Sequence, residues 1–237
     1  MIKENKKTFV HPYGQVSWLF EHVKINSKLF LVLFVLFLYC FSSFSQESYK
    51  AIEDISLFKS NLAEMSRKTN TIKSDFIQEK NLSFLSEKII SKGLFYFKKE
   101  NKIRWQYTEP FDYLIIINEN KIFIKDEDKE SKYDMGSNKI FNEINNIITG
   151  CVQGEILNND KDYKIEYYEN DNFYYVKLIP YSEKMKEFLS NIDIYFDKKD
   201  FSVSILEMIE LSSDYTKIEF INKRLNEEIP DAKFNDL

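Results

Sequence analysis

The chain has 237 residues, of which 43% are hydrophobic, 16% aromatic and 30% charged, with a formal net charge of −5. That balance fits one soluble globular domain and excludes a disordered chain or a polytopic membrane protein. Five Gly and four Pro against 21 Phe and 15 Tyr point to long strands with large side chains and few sharp corners.

The N-terminus reads as a targeting segment. A basic patch, Lys24 and Lys28, precedes the apolar run Leu29 to Phe41, and small residues follow at Ser43 and Ser45. These are the three parts of a secretory signal, with cleavage expected after Ser45 and a mature domain over 46–237. The run of 13 apolar residues is short for a membrane span, which needs about 20; an uncleaved anchor is the competing reading. Residues 1–23 read as an overlong leader or an early start codon. Cys40 is a candidate lipid-attachment site, but the bulky Tyr39 precedes it where such sites want a small residue.

Losing residues 1–45 removes Lys3, Lys6, Lys7, Lys24, Lys28, Glu4 and Glu21, leaving 28 basic and 36 acidic groups. The mature surface is acidic and a poor partner for nucleic acid. Both histidines, His11 and His22, go with the leader. What remains has no imidazole for a Ser-His-Asp or Cys-His site or for a histidine-bearing zinc site. Cys151 alone permits no internal disulfide. It reads as a buried small hydrophobe beside Ile147, Ile148 and Val152, or as a reactive thiol. Gly is too scarce for a phosphate-cradling loop, and Asp126 to Glu130 lacks the turn glycine of a calcium loop. No catalytic residue, cofactor or metal site is expected.

In chain order, Tyr49 to Lys68 reads as a helix, because Ile52, Ile55, Phe58, Leu62 and Met65 recur at steps of three and four. Ile72, Ser74, Phe76 and Gln78 alternate as a strand, and a second strand is expected within Glu79 to Ser91. Gly93 opens a hairpin: Phe95, Phe97 and Lys99 share one face of its first strand, and Ile103, Trp105 and Tyr107 share one face of its second. Lys102, Arg104 and Gln106 lie opposite, the charged run Lys98 to Lys102 makes the turn, and Pro110 ends the ladder. Such an aromatic wall either packs a core or receives an apolar ligand.

A further hairpin pairs Tyr113 to Ile117 with Lys121 to Lys125, the unbroken apolar run Leu114 to Ile117 leaving its faces unassigned. Asp126 to Asp134 reads as a charged tip, followed by an N-cap at Ser137. A short helix carries Ile140, Phe141, Ile144, Ile147 and Ile148 and stops at Gly150. It is a plug over an open sheet or a movable lid. Then Tyr163 to Tyr168 pairs with Phe173 to Ile179, Glu183 to Phe188 makes a helical turn, Ile192 to Phe196 pairs with Ser202 to Glu210, and Lys217 to Asn226 is the last strand. The order implies a mainly β, α+β fold: about ten antiparallel strands in one curved sheet closing around helices.

The spacing of Phe76, Gln78, Gly93, Trp105, Thr108 and Pro110, with Lys121-Ile-Phe123, Asp214-Tyr-Thr216, Phe220, Ala232 and Phe234, resembles the periplasmic outer-membrane lipoprotein carrier family (LolA-like) across nearly the whole mature chain. The resemblance implies a half-open antiparallel β-barrel of about 11 strands, with an N-terminal helix and a short lid helix over its concave face. It implies a monomeric periplasmic chaperone that binds lipoprotein acyl chains in an apolar cavity, without cofactor or chemistry. Its partners would be acylated lipoproteins, an inner-membrane ATP-driven releasing complex and an outer-membrane acceptor. On this reading Phe76, Phe95, Phe97, Ile103, Trp105 and Tyr107 line a cavity sized for fatty tails, and Ile140, Ile144 and Ile148 face them from the lid. The family commonly has Arg-Pro where this chain has Lys99-Glu100. The Arg latches the lid by hydrogen bonds to helix backbone; Lys99 is a looser latch or a strand-end residue in solvent. Same-fold alternatives are a membrane-anchored acceptor, an envelope sensor, a carrier of another lipid, or a structural protein whose aromatic face is dry core.

Overall fold

A computed structural model describes residues 48–127, 129–134, 146–150, 152 and 154–235. The strands are β1 (Lys50–Ala51), β2 (Thr71–Asn81), β3 (Ile89–Lys98), β4 (Lys102–Glu109), β5 (Tyr113–Asn118), β6 (Lys121–Asp126), β7 (Lys129–Asp134), β8 (Tyr163–Glu169), β9 (Phe173–Pro180), β10 (Asn191–Asp197), β11 (Val203–Ile209) and β12 (Tyr215–Leu225). All belong to one 12-stranded sheet in the order β1-β8-β9-β10-β11-β12-β2-β3-β4-β5-β6-β7. Every pairing among the described residues is antiparallel, with β1 and β7 at the two ends of the order, so the sheet is open in the manner of a half-barrel.

The helix α1 (Ile55–Lys68) begins later than its apolar spacing suggests, because the Asp54 carboxylate accepts the Leu57 N–H at 2.8 Å and caps it there. Residues before the cap turn back on the sheet, and Lys50 and Ala51 pair with Glu169 and Tyr168. The expected strand within Glu79 to Ser91 does not exist separately. Instead β2 runs on to Asn81 and β3 starts at Ile89, joined by a loop.

The expected charged tip at Asp126 to Asp134 is mostly strand: β7 pairs with β6 from Lys129↔Asp126 to Lys121↔Asp134. It is an edge strand, where Lys and Glu discourage further pairing, so it lacks the apolar alternation that marks other strands. The N-cap at Ser137, with Ile140, Phe141, Ile144 and Cys151, lies outside the described residues. Residues 146–150 are helical, with Ile147 buried and Ile148 half-buried against the core.

One face of the sheet, the inner face, carries the main core, and α1 packs on it through Phe58 and Leu62. The Phe58 ring lies 4.6 Å from Tyr174 and 5.9 Å from Phe196. The outer face of β3 to β6 holds a second, smaller core of Tyr96, Leu114, Ile116 and Phe123, roofed by Ile229 and Phe234 from the C-terminal tail. This explains the run Leu114 to Ile117: Ile115 and Ile117 sit opposite Trp105 and Ile103 on the inner face, while Leu114 and Ile116 enter the outer core.

Candidate functional site

The hairpin of β3 and β4 forms as its sequence implies. Phe95 lies opposite Trp105, Phe97 opposite Ile103 and Gly93 opposite Tyr107, around a turn in which Glu100 and Asn101 take positive φ. Neighbouring strands complete the wall. Trp105 lies 5.1 Å from both Phe76 and Phe95, and Phe220 lies 5.2 Å from Phe95. Tyr107 stands at right angles to Phe76 at 5.1 Å and donates its phenol to Gln78 at 2.9 Å. Burial pushes the Tyr107 phenol up to about 12.

Gly93 is required by this wall. A Cβ there would stand 2.0 Å from the Gln106 carbonyl oxygen and 2.7 Å from the Phe76 ring. The aromatic ring covers the backbone where the side chain is missing.

All six predicted lining residues therefore meet in one place. In this arrangement, however, they are core: Phe76, Phe95, Phe97 and Ile103 are each 1% exposed, Trp105 5%, and Tyr107 is partly buried against the same cluster. The cleft between this wall and α1 has a volume of about 30 Å³, room for roughly one water. The expected recess for fatty tails is instead filled by the protein's own side chains, Leu62 and Met65 of α1 among them. The Trp105 indole N–H is buried without a well-formed hydrogen bond among the described residues, with the Tyr107 phenol as the oxygen it acts on.

What covers the wall is a helix attached by side chains and few polar ties. At its C-terminus, Thr69 caps α1 through N–H and hydroxyl donation to Met65 O. Lys99 Nζ donates to Arg67 O at 2.6 Å, and Lys59 Nζ donates to Leu157 O at 2.9 Å. The predicted latch residue thus reaches helix backbone, that of α1. Gly154, at φ 70°, lets the chain pass beneath Leu62 where a Cβ would come within 2.9 Å.

Sequence reading missed the polar floor of this cleft. Lys223 Nζ donates to Ser202 Oγ at 2.7 Å and Ser204 Oγ at 2.8 Å, with Asp200 Oδ1 at 3.9 Å. Burial holds the amine below the usual lysine value, with Asp200 and Asp197 opposing. Alternation along β12 from Ile218 and Phe220 places Asn222 inward and Lys223 outward. A bulge between Ile221 and Arg224, with Asn222 at φ 54°, reverses that phase and turns Lys223 in. An asparagine followed by a change in alternation was the available signal.

These features define an open antiparallel half-barrel whose apolar inner face is roofed by a side-chain-held helix. The model of the family described as outer membrane lipoprotein carrier protein LolA matches residues 67–236, and the chain belongs to that family. It is 28% identical over 173 residues to an outer-membrane lipoprotein carrier protein of Wigglesworthia glossinidia brevipalpis, covering 71% of this chain and 72% of the relative. Among solved structures it resembles the LolA superfamily protein NE2245 of Nitrosomonas europaea, with a TM-score of 0.40 and 10% identity over 76% of this chain and 96% of that one. It also resembles the Pseudomonas aeruginosa MucA/MucB complex structure, with a TM-score of 0.44 and 9% identity over 76% and 60%.

Proposed function

We propose that this protein is a periplasmic carrier of acylated lipoproteins, exported by a leader cleaved after Ser45. Its inner face takes acyl chains when α1 swings away. The observation that carries the reading is the cover itself. The inner core that holds the aromatic wall of Phe76, Phe95, Trp105 and Phe220 is covered by α1, through Phe58 and Leu62, and by the segment carrying Ile147, Val152, Ile156 and Leu157, instead of by a second sheet. Such a cover is removable without unfolding the sheet, and membership of a lipoprotein carrier family supports the cargo.

The energetics favour this arrangement. Each methylene taken out of water is worth about 0.8 kcal/mol, so a chain of roughly 15 methylenes needs shelter worth about 12 kcal/mol. Part of that gain goes into lifting α1 off the wall, which lowers net affinity and lets cargo leave. Lys99 acts as the latch, and an ester or amide carbonyl of the cargo satisfies the Trp105 N–H. On this reading the protein receives lipoproteins from an inner-membrane ATP-driven complex and hands them to an outer-membrane acceptor.

The test adds a triacylated lipopeptide, or its deacylated twin, to the purified protein and reads hydrogen exchange. The acylated form alone should speed exchange across Ile55 to Lys68 and slow it in β3 and β4. Identical exchange with both peptides would remove acyl binding from the account.

A further inference from the structure

We propose that the cleft at Lys223 is a head-group site for single-chain anionic amphiphiles, whose carboxylate or phosphate oxygens accept from the Lys223 amine and the Ser204 hydroxyl while the tail lies on Phe95 and Phe220. This ligand class is distinct from a lipoprotein, whose acyl chains are joined by ester or amide bonds and carry no charge at their head. The proposal shares with the carrier reading the apolar inner face and the displacement of α1.

Three observations converge on it. The first is the combination of polar and apolar lining in one cleft. Lys223, Ser202 and Asp200 line it together with Leu62, Phe95 and Phe220, which is the pattern an amphiphile matches, and Ser204 reaches the same amine from behind Ser202.

Secondly, the amine is aimed inward by an irregularity. The β12 bulge turns Lys223 in, and β11 slips register between Ile205 and Val203, at Ser204, which is itself 8% exposed. Two bulges on adjacent strands deliver the two halves of one polar site, and bulges re-aim side chains next to binding sites.

Thirdly, the charge is incompletely answered. The only carboxylate paired with the amine among the described residues is Asp200, at 3.9 Å. That carboxylate already accepts the Ser202 N–H at 2.8 Å and the Ser202 hydroxyl at 2.6 Å. Nothing among the described residues accepts the Ser204 hydroxyl proton. A largely buried amine with neutral hydroxyls as its nearest partners favours an anionic oxygen beside it.

Room for the tail comes from α1. The cleft of about 30 Å³ holds roughly one water, so an acyl chain displaces Leu62 and Met65 and leaves the sheet residues in place.

The experiment compares laurate, dodecyl phosphate and dodecanol on the purified protein, each titrated below its micelle concentration by displacement of a dansylated fatty acid. Inorganic phosphate is the tailless control. Both anions should bind about tenfold or more tightly than dodecanol, as a charge-assisted contact implies. In Lys223→Met that preference should vanish, with the alcohol's affinity kept, and Lys223→Arg should retain most of it. Should Lys223→Met fail to fold, Ser204→Ala should still weaken the two anions by about threefold without affecting dodecanol. Equal affinity for all three probes, or an anion preference that survives Lys223→Met, would overturn the proposal. Inorganic phosphate competing as well as dodecyl phosphate would also overturn it, leaving an anion site without a tail. A triacylated lipopeptide run in parallel separates the two readings: binding to it that is unchanged in Lys223→Met supports a distinct head-group site, whereas laurate binding without lipopeptide binding leaves this site standing and ends lipoprotein carriage.

Discussion

The Lys99 amine donates to the carbonyl oxygen of Arg67 at 2.6 Å, so the turn joining β3 to β4 holds the last turn of α1 against the sheet. The carbonyl is one of those a helix C-terminus leaves without an internal partner, and a cation there also meets the negative end of the helix dipole. A lysine makes this contact with a single flexible amine, where an arginine would bring a fork.

Lys99→Met should therefore loosen the end of α1 without unfolding the sheet. One such hydrogen bond is worth about 1 kcal/mol, which corresponds to roughly fivefold faster amide exchange over residues 62–69. Hydrogen exchange followed by mass spectrometry measures it. Unchanged exchange in that segment would mean that the helix is held by Phe58 and Leu62 alone.

Gly93→Ala should cost about 2 to 4 kcal/mol of stability, read as a shift in the urea midpoint. The added Cβ meets the Gln106 carbonyl at 2.0 Å, and backbone in a ladder cannot step aside. Trimming the Phe76 ring should therefore fail to rescue the variant. Restored stability in Phe76→Leu combined with Gly93→Ala would place the conflict in the ring instead.

Phe234→Ala tests the outer core. The ring is 1% exposed among Tyr96, Leu114, Ile116 and Phe123, so its removal should cost about 3 to 5 kcal/mol. The tail is also tied by Lys98 to Asp231 at 2.8 Å and by Arg104 to Lys233 O at 3.2 Å. Because this core backs the sheet on the face away from α1, lipopeptide affinity measured well below the melting temperature should stay within about twofold of the parent.

Stability should fall as pH rises across the range just above the ordinary carboxylate value. Asp193 and Glu207 face each other across β10 and β11 on the outer face, flanked by Lys177 and Lys217. Burial pushes both carboxyls up; the Asp193 charge adds to the rise of Glu207 and the Glu166 charge to that of Asp193, against the Asn191 amide, Lys177 and Tyr175. A folded-state value above the unfolded one means that the folded protein binds more protons. The stability they contribute is complete below about pH 4 and is lost as pH climbs through the raised values. Asp193→Asn keeps an acceptor for the Asn191 amide, at 2.7 Å in the parent, and should flatten the decline in melting temperature between about pH 5 and pH 7. Below about pH 4 the trend should reverse, because Glu79 and Asp231, both held down by lysine hydrogen bonds, lose their stabilising charge. A decline of equal slope in the variant would move the effect to other groups.

The hairpins β3-β4, β5-β6, β8-β9 and β10-β11, and the meeting of Phe95 with Trp105, were legible in the sequence alone, because a period of two fixes which side chains share a face and a short turn fixes their register. The sequence leaves Lys99 between a latch and a residue in solvent, and the structure puts its amine on the Arg67 carbonyl. The sequence did not determine β7, whose charged residues suit an exposed edge and so carry no apolar signal, nor the start of α1, which the Asp54 cap decides locally against the longer apolar spacing. Only the tertiary structure decided that Leu114 and Ile116 face a second core, since that depends on a tail more than a hundred residues away folding over them. Only the tertiary structure turned Lys223 inward, because a bulge is a mismatch between two strands, β12 and β2, and neither strand records it alone. The filled interior likewise depends on α1 descending onto the wall, a choice between ligand and helix that the same apolar residues serve equally well.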